Sequence, residues 1–182
     1  MANENYGHVQ IELSPVTKKY LHWAVSKAVP KDFLYKSSVV SYINGDVTNV
    51  AHITVCWGVE NADLDEKFRN SGMRLTSPER AKIVKVGFFE GDRGEYFPIY
   101  AAPELGPEVN KLNDWIRKNN KISPISLDFV SHITLCYVKN VPKVNIKELV
   151  NKISKVLVGS EIEFDRIYFY KPETEERVLL GK

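Results

Sequence analysis

The chain carries two copies of one short motif, His-Ile-Thr, in which an imidazole lies two residues from a hydroxyl group. His52 and Thr54 form the first copy, and His132 and Thr134 form the second. Both copies lie in β-prone runs, where successive side chains point to opposite faces, so each His shares a face with its Thr. A single copy would be read as a structural hydrogen-bonded pair. Two copies in matching context, which use two of only four histidines, indicate a functional site.

Two histidines and two hydroxyls suit phosphodiester chemistry. Imidazole titrates near neutral pH, so one ring can accept a proton from an attacking hydroxyl or water while the other gives a proton to the leaving oxygen. The Thr54 and Thr134 hydroxyls can donate to the non-bridging phosphate oxygens. Either His52 or His132 can be the base, and the sequence does not decide between them.

A metal site is the weaker interpretation of the same motifs. Two His and two Thr supply only two good ligands, and no Asp or Glu lies two positions away from either His. We therefore expect no metal and no other cofactor.

The two cysteines, Cys56 and Cys136, follow the motifs at the same distance. Strand alternation places them on the His/Thr face, although a half-buried cysteine usually packs as a small hydrophobic side chain. Two cysteines provide neither a disulfide framework nor a four-cysteine zinc site. Their role stays open at this stage.

Four further residues are candidates for substrate binding. In the first β-prone run, His8 and Gln10 alternate with apolar residues and could contact a base or a phosphate, and a solvated face is the alternative. Trp57 and Tyr137 directly follow Cys56 and Cys136. Alternation points Trp57 away from the His52 face unless the strand ends or contains a bulge. Other aromatic candidates, most of which we expect in the core, are Tyr6, Phe88, Phe89 and Tyr96.

The pattern along the chain predicts an α+β domain with two related lobes. Period-2 and β-prone segments predict strands at 9–13, 37–43, 51–59, 82–90, 96–101, 126–138 and 161–170. Helical periodicity and capping residues predict helices at 16–29, 64–70, 107–119 and 146–158. No long linker separates the halves, so we expect residues 1–182 to form one domain.

Composition excludes several classes of protein. The 182 residues have a formal charge of only +2, which argues against a dedicated binder of double-stranded DNA. No apolar run is long enough to span a membrane, and the N-terminal residues are too polar for a signal peptide, so we expect a cytoplasmic protein without a membrane partner. The oligomeric state stays open.

The paired motifs resemble the His-hydrophobic-Thr/Ser-hydrophobic signatures of the 2H phosphoesterase superfamily, over roughly residues 8–170 in motif number, spacing and element order. The superfamily includes bacterial RNA-ligase-like cyclic phosphodiesterases, viral 2′,5′-oligoadenylate phosphodiesterases and phage anti-CBASS enzymes that degrade cyclic oligonucleotide immune signals. The resemblance implies two pseudo-symmetric antiparallel-sheet lobes with outer helices and a central groove. It also implies that His52 and His132 form the acid/base pair and that Thr54 and Thr134 hold the phosphate. In the phage enzymes a side chain of the first strand contacts a base, and His8 takes that place here.

Three functional hypotheses follow. The first is a metal-independent phosphodiesterase for cyclic oligonucleotides, favoured by the compact length and cytoplasmic character, which would act in the host cytoplasm if the protein is viral. The second is a phosphodiesterase for 2′,3′-cyclic phosphates or 2′,5′ linkages on RNA ends. The third, from another class, is a module that sequesters a nucleotide without chemistry. Linkage and base specificity are not readable from the motifs.

Overall fold

The computed structural model of the chain describes residues 6–36, 51–60, 64–71, 80–90, 94–124, 129–171 and 176–180. The strands are β1 (Tyr6–Leu13), β2 (His52–Glu60), β3 (Arg80–Phe88), β4 (Tyr96–Glu104), β5 (Lys121–Ile122), β6 (Ile133–Lys139), β7 (Glu161–Lys171) and β8 (Glu176–Leu179). The helices are α1 (Pro15–Ala28), α2 (Leu64–Asn70), α3 (Pro107–Asn119) and α4 (Ile146–Leu157), and one 3-10 turn covers Lys31–Phe33.

Most predicted elements are present within a few residues of their expected bounds. The α1 helix begins as the sequence indicates, with Pro15 in the first turn and the Ser14 hydroxyl accepting from the Thr17 backbone amide at 3.2 Å. The strand predicted at 126–138 begins only at Ile133, and none of residues 129–132 is in a strand. The strand predicted at 37–43 lies outside the described residues. The short strands β5 and β8 carry too little periodicity to be recognised.

The strands form one antiparallel eight-stranded sheet, which confirms the α+β class. The order is β1-β2-β6-β4-β3-β7-β8, β5 pairs with β2, and an additional pairing joins β1 to β7. Because β7 pairs with both β1 and β3, six strands form a closed circuit.

The two central strands, β2 and β6, touch at a single residue pair and then diverge. Ile53 pairs with Ile133, after which β2 pairs with β5 and the backbone amide of Tyr35 donates to the Tyr137 carbonyl of β6 at 2.8 Å. Two lobes result, one around β2 and one around β6, and each contains one copy of the repeated motif.

Both central strands contain a β-bulge at the same place in the repeat. In the pairing of β2 with β1, Thr54 lies opposite Gln10 and Cys56 lies opposite Val9, so Val55 has no opposing residue. In the pairing of β6 with β4, Thr134 lies opposite Tyr100 and Cys136 lies opposite Ile99, so Leu135 has no opposing residue. A bulge shifts every later residue by one position and therefore moves it to the other face.

The helices α1, α3 and α4 pack on the apolar face of the sheet. Core side chains on this face that are fully inaccessible to solvent include Leu21, Ile53, Leu112, Ile133 and Ile153. Within the described residues, no helix is long and apolar enough to cross a membrane.

Asn113 of α3 stabilises the first bulge. Its side-chain amide donates to the Val55 carbonyl at 2.6 Å, and the Asn113 side-chain oxygen accepts from Arg117 Nε at 3.2 Å. Asn113 is buried, so this contact replaces water at a carbonyl that lies within the bulge.

Replacing Asn113 by Leu should lower the free energy of unfolding by about 1–3 kcal/mol, because the Val55 carbonyl stays buried without its donor. Urea denaturation followed by circular dichroism measures the change. Asn119→Leu is the matched control, since Asn119 lies on the same helix but is exposed and donates to the Trp115 carbonyl. An equal loss in both variants would show that the bulge contact has no special weight.

Candidate functional site

The four residues of the two motifs lie on one face of the sheet. Because Ile53 and Ile133 pair directly and both point into the core, their neighbours His52, Thr54, His132 and Thr134 take the opposite face. His52 and His132 each directly precede one of the two paired isoleucines. All four side chains are half-buried. The structure thus places the four predicted residues on one face of the sheet.

His132 is held through its Nδ1 atom, which lies 2.8 Å from the carbonyl oxygen of Val130. A carbonyl oxygen only accepts, so Nδ1 carries a hydrogen and donates it. In the neutral ring, Nε2 is then the atom that can accept a proton, and in the charged ring it is a donor.

A polar row along β1 flanks His52. His8 Nε2 lies 2.9 Å from Gln10 Oε1, and Gln10 Nε2 donates to Glu12 Oε1 at 3.3 Å. Glu12 pairs with His52 across the strands and forms an ion pair with Lys18 at 3.7 Å. Glu12 was not among the predicted site residues, although its alternation with Ile11 and Leu13 placed it on this face.

His8 lies close to His52. The two ring centroids are 6.0 Å apart with an angle of 28° between the planes, and Tyr170 lies 5.0 Å from His8 on the other side. Burial lowers the pKa of His8 below its ordinary value, and the hydrogen bond to Gln10 opposes this only in part. His8 therefore favours the neutral form, which can read a hydrogen-bonding group but does not supply a positive charge.

The bulges place Trp57 and Tyr137 on the His/Thr face. Trp57 pairs with His8 and is 40% exposed, and Tyr137 pairs with Pro98. Simple alternation pointed Trp57 away from His52 unless the strand contained a bulge. The structure contains such a bulge at Val55.

The bulges also correct the expected position of the cysteines. Cys56 pairs with Val9 and Cys136 with Ile99, both core residues, so neither thiol lies on the His/Thr face. Burial raises the pKa of the Cys56 thiol and raises that of Cys136 to about 12. Both cysteines pack in the core, where burial disfavours the reactive thiolate.

Aromatic side chains flank His132. Phe89 and Tyr100 lie edge-on to its ring at 5.2 Å and 6.0 Å, and they stack on each other at 4.2 Å. Tyr100 pairs with Thr134, which puts it on the site face. We expected most of the further aromatic residues in the core, and Phe88, which packs against Phe97, fits this expectation, whereas Phe89 does not.

The donor set for a metal ion is poor. Among the described residues, no group of three or more His, Cys, Asp or Glu side chains could hold one. A surface depression of about 520 Å³, lined by Glu66, Lys67, Asn70, Ser71, Trp115 and Asn119, contains none of the motif residues. We take the paired motifs, which carry the titratable groups, as the candidate site.

Neither cysteine should react in the folded protein at pH 8, because both thiols are buried and protonated. Labelling with a chromogenic disulfide reagent should give no signal in buffer and two thiols per chain in guanidinium chloride. Rapid modification of either cysteine under native conditions would contradict this account.

The buried neutral ring of His8 should make stability depend on pH. Its pKa is lower in the folded than in the unfolded chain, so its contribution is complete above about pH 6.5 and is lost as the pH falls. Urea unfolding at pH 7.5 and pH 5.0 should therefore show a smaller acid-induced loss in His8→Gln than in the unsubstituted protein. The other titrating groups are common to both proteins, and an identical loss would refute the assignment.

A comparison with protein families gives one match. Residues 99–180, which include the second motif, match the family model described as LigT like Phosphoesterase. A comparison with curated proteins gave no significant match.

Solved structures share the fold over the whole chain. The structure of Kluyveromyces marxianus Usb1 matches with a TM-score of 0.60 and 11% identity, covering 100% of both chains. The structure of the same protein with uridine monophosphate matches with a TM-score of 0.59 and 9% identity, covering 98% of this chain and 99% of that one. At such identities the likeness concerns the fold. Together with the family match, it confirms the resemblance to the 2H phosphoesterases that the two His-Ile-Thr motifs indicated.

Proposed function

We propose that the protein is a phosphodiesterase that cleaves a nucleotide phosphodiester between His52 and His132. The observation that carries the proposal is the pairing of Ile53 with Ile133, which puts both histidines and both threonines on one face. The family match over residues 99–180 supports phosphoester chemistry.

In the proposed reaction the two imidazoles act on opposite sides of the phosphorus. One neutral ring takes the proton from a 2′-hydroxyl or a water as its oxygen attacks phosphorus. The other, protonated, ring gives its proton to the leaving oxygen as the bond between phosphorus and that oxygen breaks. His132 can take either part through Nε2, since Nδ1 is bonded to the Val130 carbonyl.

Thr54 and Thr134 are proposed to hold the non-bridging oxygens. Their hydroxyls lie two residues from the rings on the same face, so they can donate to oxygens on which negative charge accumulates. Hydroxyl donors held on a rigid sheet need little reorganisation during the reaction. They can therefore stabilise the negative charge that shifts between oxygens in the transition state.

The proposed activity needs no metal. The chemistry is complete with two proton-transfer groups and two donors, and the described side chains offer no metal-binding cluster. Turnover in the presence of EDTA is therefore part of the proposal.

A nucleotide is the proposed substrate class because hydrogen-bonding and aromatic side chains flank the motifs. His8, Gln10 and Trp57 lie on the His52 side, and Tyr137 lies on the His132 side. The complex of Usb1 with uridine monophosphate, which has the same fold, supports a nucleotide ligand. Within this class, cyclic oligonucleotides of the kind degraded by phage anti-CBASS enzymes remain our first candidate, and RNA ends with 2′,3′-cyclic phosphates or 2′,5′ linkages are the alternative.

His52→Ala and His132→Ala should each lower kcat by about 10²–10⁴-fold while changing nucleotide affinity by less than about tenfold. The assay uses cyclic dinucleotides, cyclic trinucleotides, 2′,5′-oligoadenylate and 2′,3′-cyclic mononucleotides, with EDTA present. His22→Ala is the matched control, because His22 is exposed on α1 outside the site. Its rates should equal those of the unsubstituted protein.

Two outcomes would refute the enzymatic proposal. Full turnover in either histidine variant would remove the acid/base pair from the mechanism. Tight nucleotide binding without turnover of any substrate by the folded protein would instead favour a sequestering module.

A further inference from the structure

A stacked pair of aromatic rings, Phe89 on Tyr100, stands beside His132 on the site face. The ring centroids are 4.2 Å apart, and the planes differ by only 18°. Both rings meet the imidazole nearly at right angles, at 79° for Phe89 and 75° for Tyr100. The pair is therefore in direct contact with a proposed catalytic group.

The backbone of β3 leaves room for this pair. Gly87 pairs with Tyr100, and a Cβ atom on Gly87 would lie only 2.7 Å from the tyrosine ring. Any larger residue at 87 would displace the ring, since that separation is below van der Waals contact. The Phe89 backbone amide donates to the Pro98 carbonyl at 3.0 Å, which extends the β3–β4 pairing and keeps Phe89 on the same face as Tyr100.

Phe89 is exposed where a packing role would bury it. Its side chain is 36% exposed, whereas the adjacent Phe88, on the opposite face, is half-buried against Phe97 and the core. An exposed phenylalanine supported by a second ring offers an apolar surface for a flat ligand, and base–aromatic stacking tolerates any nucleobase.

The other side of the histidine pair also presents rings. Tyr170 lies 5.0 Å from His8, and Trp57 pairs with His8 and is 40% exposed. One aromatic surface therefore lies next to His132, and a second lies next to His8, whose ring centroid is 6.0 Å from that of His52.

From this arrangement we propose that Phe89, supported by Tyr100, stacks on a nucleobase next to His132. The preferred substrate is then a phosphodiester that joins two nucleosides, with one base on each side of the scissile phosphate. This inference rests on the proposed function and narrows it, because a nucleoside 2′,3′-cyclic phosphate carries a single base and would leave one of the two surfaces unused.

Equilibrium binding tests the stacking surface without relying on turnover. Phe89→Leu should weaken binding of adenosine 5′-monophosphate about tenfold and leave binding of ribose 5-phosphate, which lacks a base, unchanged. Phe89→Tyr should retain the affinity, because it keeps the ring. Phe88→Leu is the matched control and should not alter either affinity. Equal effects of Phe89→Leu on both ligands, or no effect on either, would overturn the assignment.

Turnover rates test whether the preferred substrate carries one nucleobase or two. The unsubstituted protein should have a higher kcat/KM for linkages between two nucleosides than for 2′,3′-cyclic mononucleotides, and Phe89→Leu should reduce that advantage. Faster cleavage of the mononucleotides would overturn the two-base inference and leave the phosphodiesterase proposal intact. Absence of turnover for every substrate would overturn the phosphodiesterase proposal, while the binding comparison would still decide whether Phe89 contacts a base.

Discussion

The single contact between Ile53 and Ile133 determines the geometry of the candidate site. Both side chains are completely buried, and the two strands that carry them separate after this pair. Because side chains alternate along a strand, a shift of one residue in either strand would bury its His and Thr and expose its isoleucine. The hydrophobic preference of two isoleucines thus fixes the position of four polar side chains.

The repeated motif could be recognised from the sequence because period-2 alternation and self-similarity are local signals. The bulges could not be recognised from the sequence. Val55 and Leu135 are ordinary strand-forming residues, and the contact that supports the first bulge comes from Asn113, far along the chain. For this reason simple alternation placed Cys56 on the wrong face, and Trp57 could be assigned to the site only from the three-dimensional structure.

The two halves of the site share their motif and bulge but differ in their neighbouring strands. At corresponding register positions, β1 offers Gln10 and His8 where β4 offers Tyr100 and Pro98. At these positions β1 presents hydrogen-bonding groups to a ligand, and β4 presents the ring of Tyr100. An approximate twofold arrangement of the proposed catalytic groups thus lies within a surface that is not twofold, and such a surface can bind an asymmetric substrate in one orientation.

The charged side chains also differ between the two halves of the site. On the His52 side, the carboxyl group of Glu12 is almost completely buried, is bonded to Gln10 and pairs with Lys18. On the His132 side, the exposed Lys85 pairs with Ala102, which lies one position beyond the pairing of Ala101 with Ile133. Lys85 therefore shares the site face with His132, and its charge attracts an anion toward that half. Burial lowers the pKa of His8, which disfavours a positive charge on the His52 side, whereas Lys85 adds a positive charge on the His132 side. With the scissile phosphate between the two histidines, Lys85 lies on the side of the base proposed to stack on Phe89, and the polar row on β1 lies on the side of the other base.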